Sequence, residues 1–372
     1  MTMVDSRARA SVRNLVSYKP GTPIEEVKRR FKLSSVIKLA SNENALGPSP
    51  KALAALRRAA SGLHRYPDST CRDLRAALAK RLKVEPDSLV FGNGSDELIV
   101  LALRAFVDPG DEVVVASPTF LIYEQQARAC GAAVRVVPLK NFRYDLAAMR
   151  AAVTPHTKLV FIANPDNPTG TYATKRELDA FLRGLGPETI VFLDEAYYEF
   201  VDTADYPQTL PYVKDRPVVV TRTFSKAYGL AGLRVGYGVA QPTLAAAMNA
   251  VREPFNVNSL AQAAAAAALT DAAFLARTRR LAQEGRRYLV KELDALKLRH
   301  VPSVTNFILI QLGPRASEVA QALLSRGVIV REMSAWKLSG CIRVTIGTAA
   351  ENTRFIQELK IALGSGLRAR GT

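Results

Sequence analysis

Between about residues 88 and 240 the chain repeats one pattern: a short apolar run, a turn rich in Gly, Pro or Asn, then a helix-like segment. The successive units are "SLVFGNGSDELIVLALRAF", "DEVVVASPTFLIYEQQARACG", "KLVFIANPDNPTG", "TIVFLDEAYYEF" and "PVVVTRTFSK". Continuous apolar runs bounded by turns indicate strands buried on both faces, and their alternation with helices predicts an α/β fold with a mainly parallel central sheet and helices on both faces. From about residue 260 a helical stretch leads into "NFILIQLG", "GVIVRE" and "CIRVTIGT", a pattern expected of a smaller α+β domain. The expected division is an N-terminal arm at 1–35, a large domain at 36–258 and a C-terminal small domain at 259–372. At 372 residues a large and a smaller core are both affordable.

Composition narrows the function classes. The run "AQAAAAAAL" from Ala261 is cut short by Thr270 and Asp271, below the length of a bilayer span, and reads as a close-packed helix. The N-terminus has no apolar core of signal-peptide length, so a cytoplasmic protein is expected. Cys71, Cys130 and Cys341 are far apart, which supports neither a disulfide framework nor a metal site. A formal charge of +17 raises nucleic-acid binding as a rival, because a basic surface attracts polyanions. The basic groups, such as "VKRR" and "RTRR", are short and scattered, so specific nucleic-acid recognition is not expected, whereas a small anionic substrate benefits from the same field.

Open α/β sheets bind ligands at the carboxyl ends of their strands. After Phe91, "GNGSDE" offers glycines for close backbone approach and, from Ser95, a helix start whose N–H groups face an anion. "FIANPDNPTG" places Asn164 and Asn167 at a strand end. "FLDEAYYEF" ends a strand in Asp194, with Tyr197 three residues on. A buried carboxylate there requires a positive partner. Lys226 follows the next strand, preceded by Ser225 and followed eight residues later by Arg234. Together these supply an anion cradle, an anion for a cation, an amide and phenol for a phenolate, and one amine, which are the requirements of pyridoxal 5'-phosphate. In that reading Lys226 condenses with the aldehyde and carries protons, and Asp194 keeps the ring nitrogen protonated.

"TFSKAYGLAG" resembles the lysine signature of the fold-type I aminotransferases, and the likeness runs over nearly the whole chain. Within them "YKPGTPIEEV", "KLASNENALGPSP", "HRYPD", "REPFNVN", "TNFILI" and "IRVTIGT" are most similar to the histidinol-phosphate group. The resemblance implies an amino-group exchange between L-histidinol phosphate and 2-oxoglutarate within histidine biosynthesis. It makes Lys226 the cofactor lysine, Asp194 the pyridine-nitrogen partner, and Asn167 with Tyr197 the pair on the phenolic oxygen. Gly94, Ser95, Ser225 and Arg234 match the phosphate site. Tyr66 matches a tyrosine that reaches the neighbouring subunit's cofactor, which implies a homodimer, and Tyr18 a tyrosine near the substrate, also contributed across the dimer. Asn44 is expected at the substrate, and Arg331 with Arg343 matches the pair that holds its anionic group. Ala45 stands where such proteins commonly carry Pro, and Asp166 where they commonly carry Asn. With Trp336 in the variable segment between the arginines, these positions bear on substrate preference, so an aromatic amino-acid aminotransferase and a decarboxylase of phosphorylated amino acids remain rivals.

Overall fold

The computed structural model describes residues 7–13, 15 and 21–368. Its centre is a seven-stranded sheet of β1 (Leu89–Gly92), β2 (Glu112–Ser117), β3 (Ala133–Pro138), β4 (Thr157–Ala163), β5 (Ile190–Asp194), β6 (Val218–Thr223) and β7 (Gly236–Val239), in the order β1-β7-β6-β5-β4-β2-β3. Strands β2 to β6 are parallel to one another, and β7 runs antiparallel to both β6 and β1. The apolar runs explain the burial. With a period of two, Val114, Val160, Val191 and Val220 enter one core, while Val113, Leu159, Phe192 and Val219 enter a second core on the opposite face.

The first core is covered by α1 (Pro50–Ala59) and α2 (Arg72–Leu82), and the second by α3 (Ser95–Phe106) and α4 (Ile122–Cys130). The alanine-rich run forms α5 (Ser259–Leu269), capped by Asn258, whose side chain accepts the Ala261 N–H at 2.8 Å. Its small side chains pack Ala261, Ala264, Ala265 and Ala268 into the first core, beside Ala52 of α1.

The long helix α6 (Ala272–Ala295) leads to an antiparallel sheet of β8 (Arg299–Val301), β9 (Phe307–Gln311), β10 (Arg331–Glu332) and β11 (Cys341–Thr345), in the order β10-β11-β9-β8. Helices α7 (Ala316–Ser325) and α8 (Ala349–Arg368) share its core, which holds Leu289, Ile308, Val319, Val344 and Phe355. Two segments pack differently from the expected division at 36–258 and 259–372. Ile37–Lys38 pairs in parallel with residues 328–329, and Leu39 is buried in the smaller core. Helix α5 instead packs with the large domain. In both cases the apolar surface that covers the segment comes from a distant part of the chain, so chain order does not reveal it.

Candidate active site

The carboxyl ends of β4, β5 and β6 open toward a cavity whose opposite wall is the small domain's β10 and β11. Asp194 is the last residue of β5 and is only 7% exposed. Its carboxylate accepts the Tyr123 hydroxyl proton at 2.6 Å and the Ala196 N–H at 3.0 Å. Burial pushes this carboxyl up to about 6, against the pull of the two hydrogen bonds. A cation at the cavity end of Asp194 reverses that penalty.

Lys226 follows β6 through "TFSK", and its Nζ donates to the Ser41 carbonyl at 3.1 Å. Burial, and then the positive charge of Arg343, push the amine down to about 8, so a substantial neutral fraction exists near physiological pH. Tyr197 is buried with its ring edge against Phe307, centroids 5.1 Å apart. Its hydroxyl accepts from Asn42 Nδ2 at 2.9 Å, and burial pushes the phenol up to about 12, keeping its proton available for donation to an oxygen anion. Asn167, after β4, lines the same cavity and accepts from Arg343 Nη1.

An anion cradle lies at the start of α3. Gly94 has φ 79°, and a Cβ there would overlap the Arg234 guanidinium. A Cβ on Gly236 would lie 2.6 Å from the Ser95 nitrogen. Glycine at both places lets Arg234 and the first N–H groups of a twelve-residue helix approach the same point. Arg234 Nη1 donates to Ser225 Oγ at 3.3 Å, while Nη2 is 3.4 Å from Asp96. Guanidinium, hydroxyl and helix N-terminus form a donor set suited to a phosphate.

Arg331 and Arg343 are paired across β10 and β11 and both line the cavity. Arg343 is 5% exposed and donates through Nη2 to the Ala40 carbonyl at 2.9 Å. The buried indole of Trp336 lies 4.9 Å from the Arg331 guanidinium and 5.9 Å from that of Arg343, so its π face offsets part of their mutual repulsion.

The structure thus brings Lys226, Asp194, Tyr197, Asn167, Ser95, Ser225, Arg234, Arg331 and Arg343 into one cavity. Tyr66 is not part of that lining; it is 83% exposed and stacks on Phe255, ring centroids 4.8 Å apart. Tyr18 lies outside the described residues. Asn44 also differs from expectation, since its amide donates to the Ala227 carbonyl and to Thr278 Oγ1, each at 3.0 Å, and does not line the cavity. The residue turned into the cavity is Asn42, two positions earlier, held by Thr345 and Asn306. Sequence reasoning also missed Tyr123. Its only local signal is a tyrosine in the turn and helix that follow an apolar strand.

Among the described residues no group of three or more His, Cys, Asp or Glu is placed to hold a metal ion, and no single helix is long and apolar enough to cross a membrane.

The model of the aminotransferase class I and II family matches residues 34–359. The histidinol-phosphate aminotransferase of Moorella thermoacetica is 48% identical over 356 residues, which is 95% of this chain and 92% of that protein. The enzyme of the same name from Symbiobacterium thermophilum is 46% identical over 97% of this chain and all of its own length. Among solved structures, the Sinorhizobium meliloti histidinol-phosphate aminotransferase in complex with pyridoxal-5'-phosphate superposes with a TM-score of 0.89 at 31% identity, covering 97% of this chain and 99% of that one. Sequence, fold and the strand-end cluster agree: the chain belongs to the class I and II aminotransferases, and its fold is that of the fold-type I transaminases.

Proposed function

We propose that this transaminase uses pyridoxal 5'-phosphate to exchange the amino group between L-histidinol phosphate and 2-oxoglutarate, giving imidazole acetol phosphate and L-glutamate in histidine biosynthesis. The observation that carries the substrate reading is the arginine pair, Arg331 and Arg343, in the same cavity as Lys226. The proposed donor has no α-carboxylate, so its phosphate is the strong anion available to orient it, and glutamate's carboxylate fits the same fork in the other half-reaction. The names of the relatives support the same reading.

The residues fit the cofactor. Asp194 is a buried carboxylate that gains from a facing cation, and the Gly94–Arg234–Ser225 cradle has room only for backbone and donors. When bound, pyridoxal phosphate supplies an aldehyde for amine condensation and a ring that draws electrons from the substrate carbon. Asp194 would hold the proton on the ring nitrogen, while Tyr197 and Asn167 would donate to the phenolic oxygen. Ser95, Ser225 and Arg234 would bind the phosphate. Lys226, with its lowered amine pKa, would be the residue that holds the cofactor covalently and would carry the proton at the reacting carbon. Arg343 has a double role, since it binds the substrate anion and its charge helps keep Lys226 neutral.

We also propose a homodimer in which Tyr66 completes the partner's site. Its exposure, stacked on the 42% exposed Phe255, leaves an aromatic pair available for a second copy to cover.

Four outcomes are expected. In cofactor-free protein, the rate of covalent cofactor attachment rises with pH with a midpoint near 8, following loss of the Lys226 proton, and Arg343→Ala moves that midpoint upward because a charge that lowers it is gone. A midpoint near the free lysine value of 10.5 contradicts the electrostatic account. Arg343→Ala removes charge-assisted bonds worth roughly 1.5–3 kcal/mol each. It therefore lowers kcat/KM for histidinol phosphate by about ten- to two-hundred-fold. Arg343→Lys recovers only part of this, and both half-reactions suffer in steady-state assays. Phenylalanine is a poor donor for the wild type, and a higher kcat/KM for phenylalanine replaces the substrate reading with an aromatic one. Finally, mixing Tyr66→Ala with Lys226→Ala subunits restores activity, since both defects fall in one pocket of the hybrid and leave the other pocket intact. No regain after confirmed subunit exchange rules out a shared site.

A further inference from the structure

A second cavity, of about 360 Å³, lies behind the strand ends that carry the catalytic cluster. Successive strand residues point to opposite faces. Accordingly Thr223 lines the catalytic cavity, whereas its neighbour Arg222 lines the second one, and Asp194 faces the first while Glu195 binds Arg222.

Charges around this second cavity are unevenly matched. Arg222 is satisfied, with Nε and Nη2 both 2.8 Å from Glu195 Oε2 and the guanidinium 3.5 Å from the Tyr198 ring centroid. Glu195 is completed by the Thr209 hydroxyl at 2.7 Å and by Tyr206 at 3.3 Å. Glu199 differs. It is 9% exposed, it lines the cavity, and its Oε2 has no hydrogen-bond partner among the described residues. A buried carboxyl oxygen left unpaired is costly, and here burial pushes the group up to about 7. Tyr198, Tyr228 and Tyr237 line the cavity beside it, and Arg222 lies against the Tyr198 ring. The cavity also has two exposed guanidinium groups in its lining, Arg81 and Arg279. Arg81 donates to the Leu269 carbonyl at 3.0 Å, and Arg279 makes no ion pair among the described residues.

A carboxyl in an aromatic cavity with guanidinium groups at its edge matches a ligand that carries both charges at short range. We propose that this cavity binds a small zwitterionic amino acid, with its ammonium on Glu199 and its carboxylate on Arg279 and Arg81. The ligand sits against Arg222, four residues before Lys226 on the same strand and turn, and so occupies a site separate from the one where amines react.

N,N-dimethylglycine is a suitable probe. It keeps an ammonium N–H and a carboxylate, yet a tertiary amine cannot condense with an aldehyde, so the reaction itself does not consume it. Calorimetric titration of the cofactor-loaded full chain should give one site per chain. Glu199→Gln should weaken binding by roughly tenfold or more, because a charged hydrogen-bond partner is lost. Arg279→Gln, a change at an exposed position, should weaken it as well and provides the test if Glu199→Gln does not fold. Arg343→Ala should leave affinity unchanged. The proposal is overturned by absence of binding to the wild type, by equal affinity in folded Glu199→Gln or Arg279→Gln protein, or by loss of binding in Arg343→Ala, which would put the probe in the catalytic cavity.

Discussion

A carboxylate sealed at the end of the central strand sets the terms for the site around it. Asp194 terminates β5, whose five residues are all buried, and its own burial favours the neutral acid. The Tyr123 hydroxyl and the Ala196 N–H recover part of the lost hydration but supply no positive charge. Lys226 experiences the opposite effect, since burial and Arg343 disfavour its ammonium. The cluster is therefore poised around two groups that the protein alone pushes toward neutrality. A ligand bringing a protonated ring nitrogen to Asp194 and an electrophile to Lys226 relieves both, and the phosphate cradle at Gly94 and Arg234 gives that ligand its anchor.

The same site is where the two sheets meet. Arg343, on β11 of the small domain, donates to Asn167 of the large domain and to the Ala40 carbonyl. Asn42 receives Thr345 and Asn306 contacts from the small domain and donates to Tyr197 of the large one. Movement of one domain relative to the other would change the substrate-anion site and the Tyr197 hydroxyl together. Binding energy from a remote phosphate can thereby be coupled to alignment at the reacting carbon.

How much of this was legible in the sequence depended on whether local pattern or distant contact decided each feature. Apolar runs ending in Asp194 and in "TFSK" mark strand ends that point into a crevice, so Lys226, Asp194, Tyr197 and Asn167 could be named from the residues alone, and the family resemblance gave them roles. The antiparallel course of β7 was not readable, because "GYGV" carries no sign of direction. Asn42 and Asn44 look alike within "SNEN". What separates them is the positive φ of 55° at Asn42, fixed by bonds to Thr345 and Asn306 from a remote strand and turn. Tyr123 was hidden for a similar reason: its hydroxyl reaches a carboxylate 71 residues away across parallel strands, which no local spacing encodes. Nothing in "YYEF" marks Glu199, and its unpaired oxygen appears only once the tyrosines around it are placed.

The most direct test of the central claim is chemical. Borohydride reduction of the cofactor-loaded protein, followed by peptide mapping, should place the reduced pyridoxyl label on Lys226 and bleach the yellow colour, and Lys226→Ala should take up no covalent label while still binding the cofactor through its phosphate. Recovery of the label on any other lysine of the wild type would contradict the account.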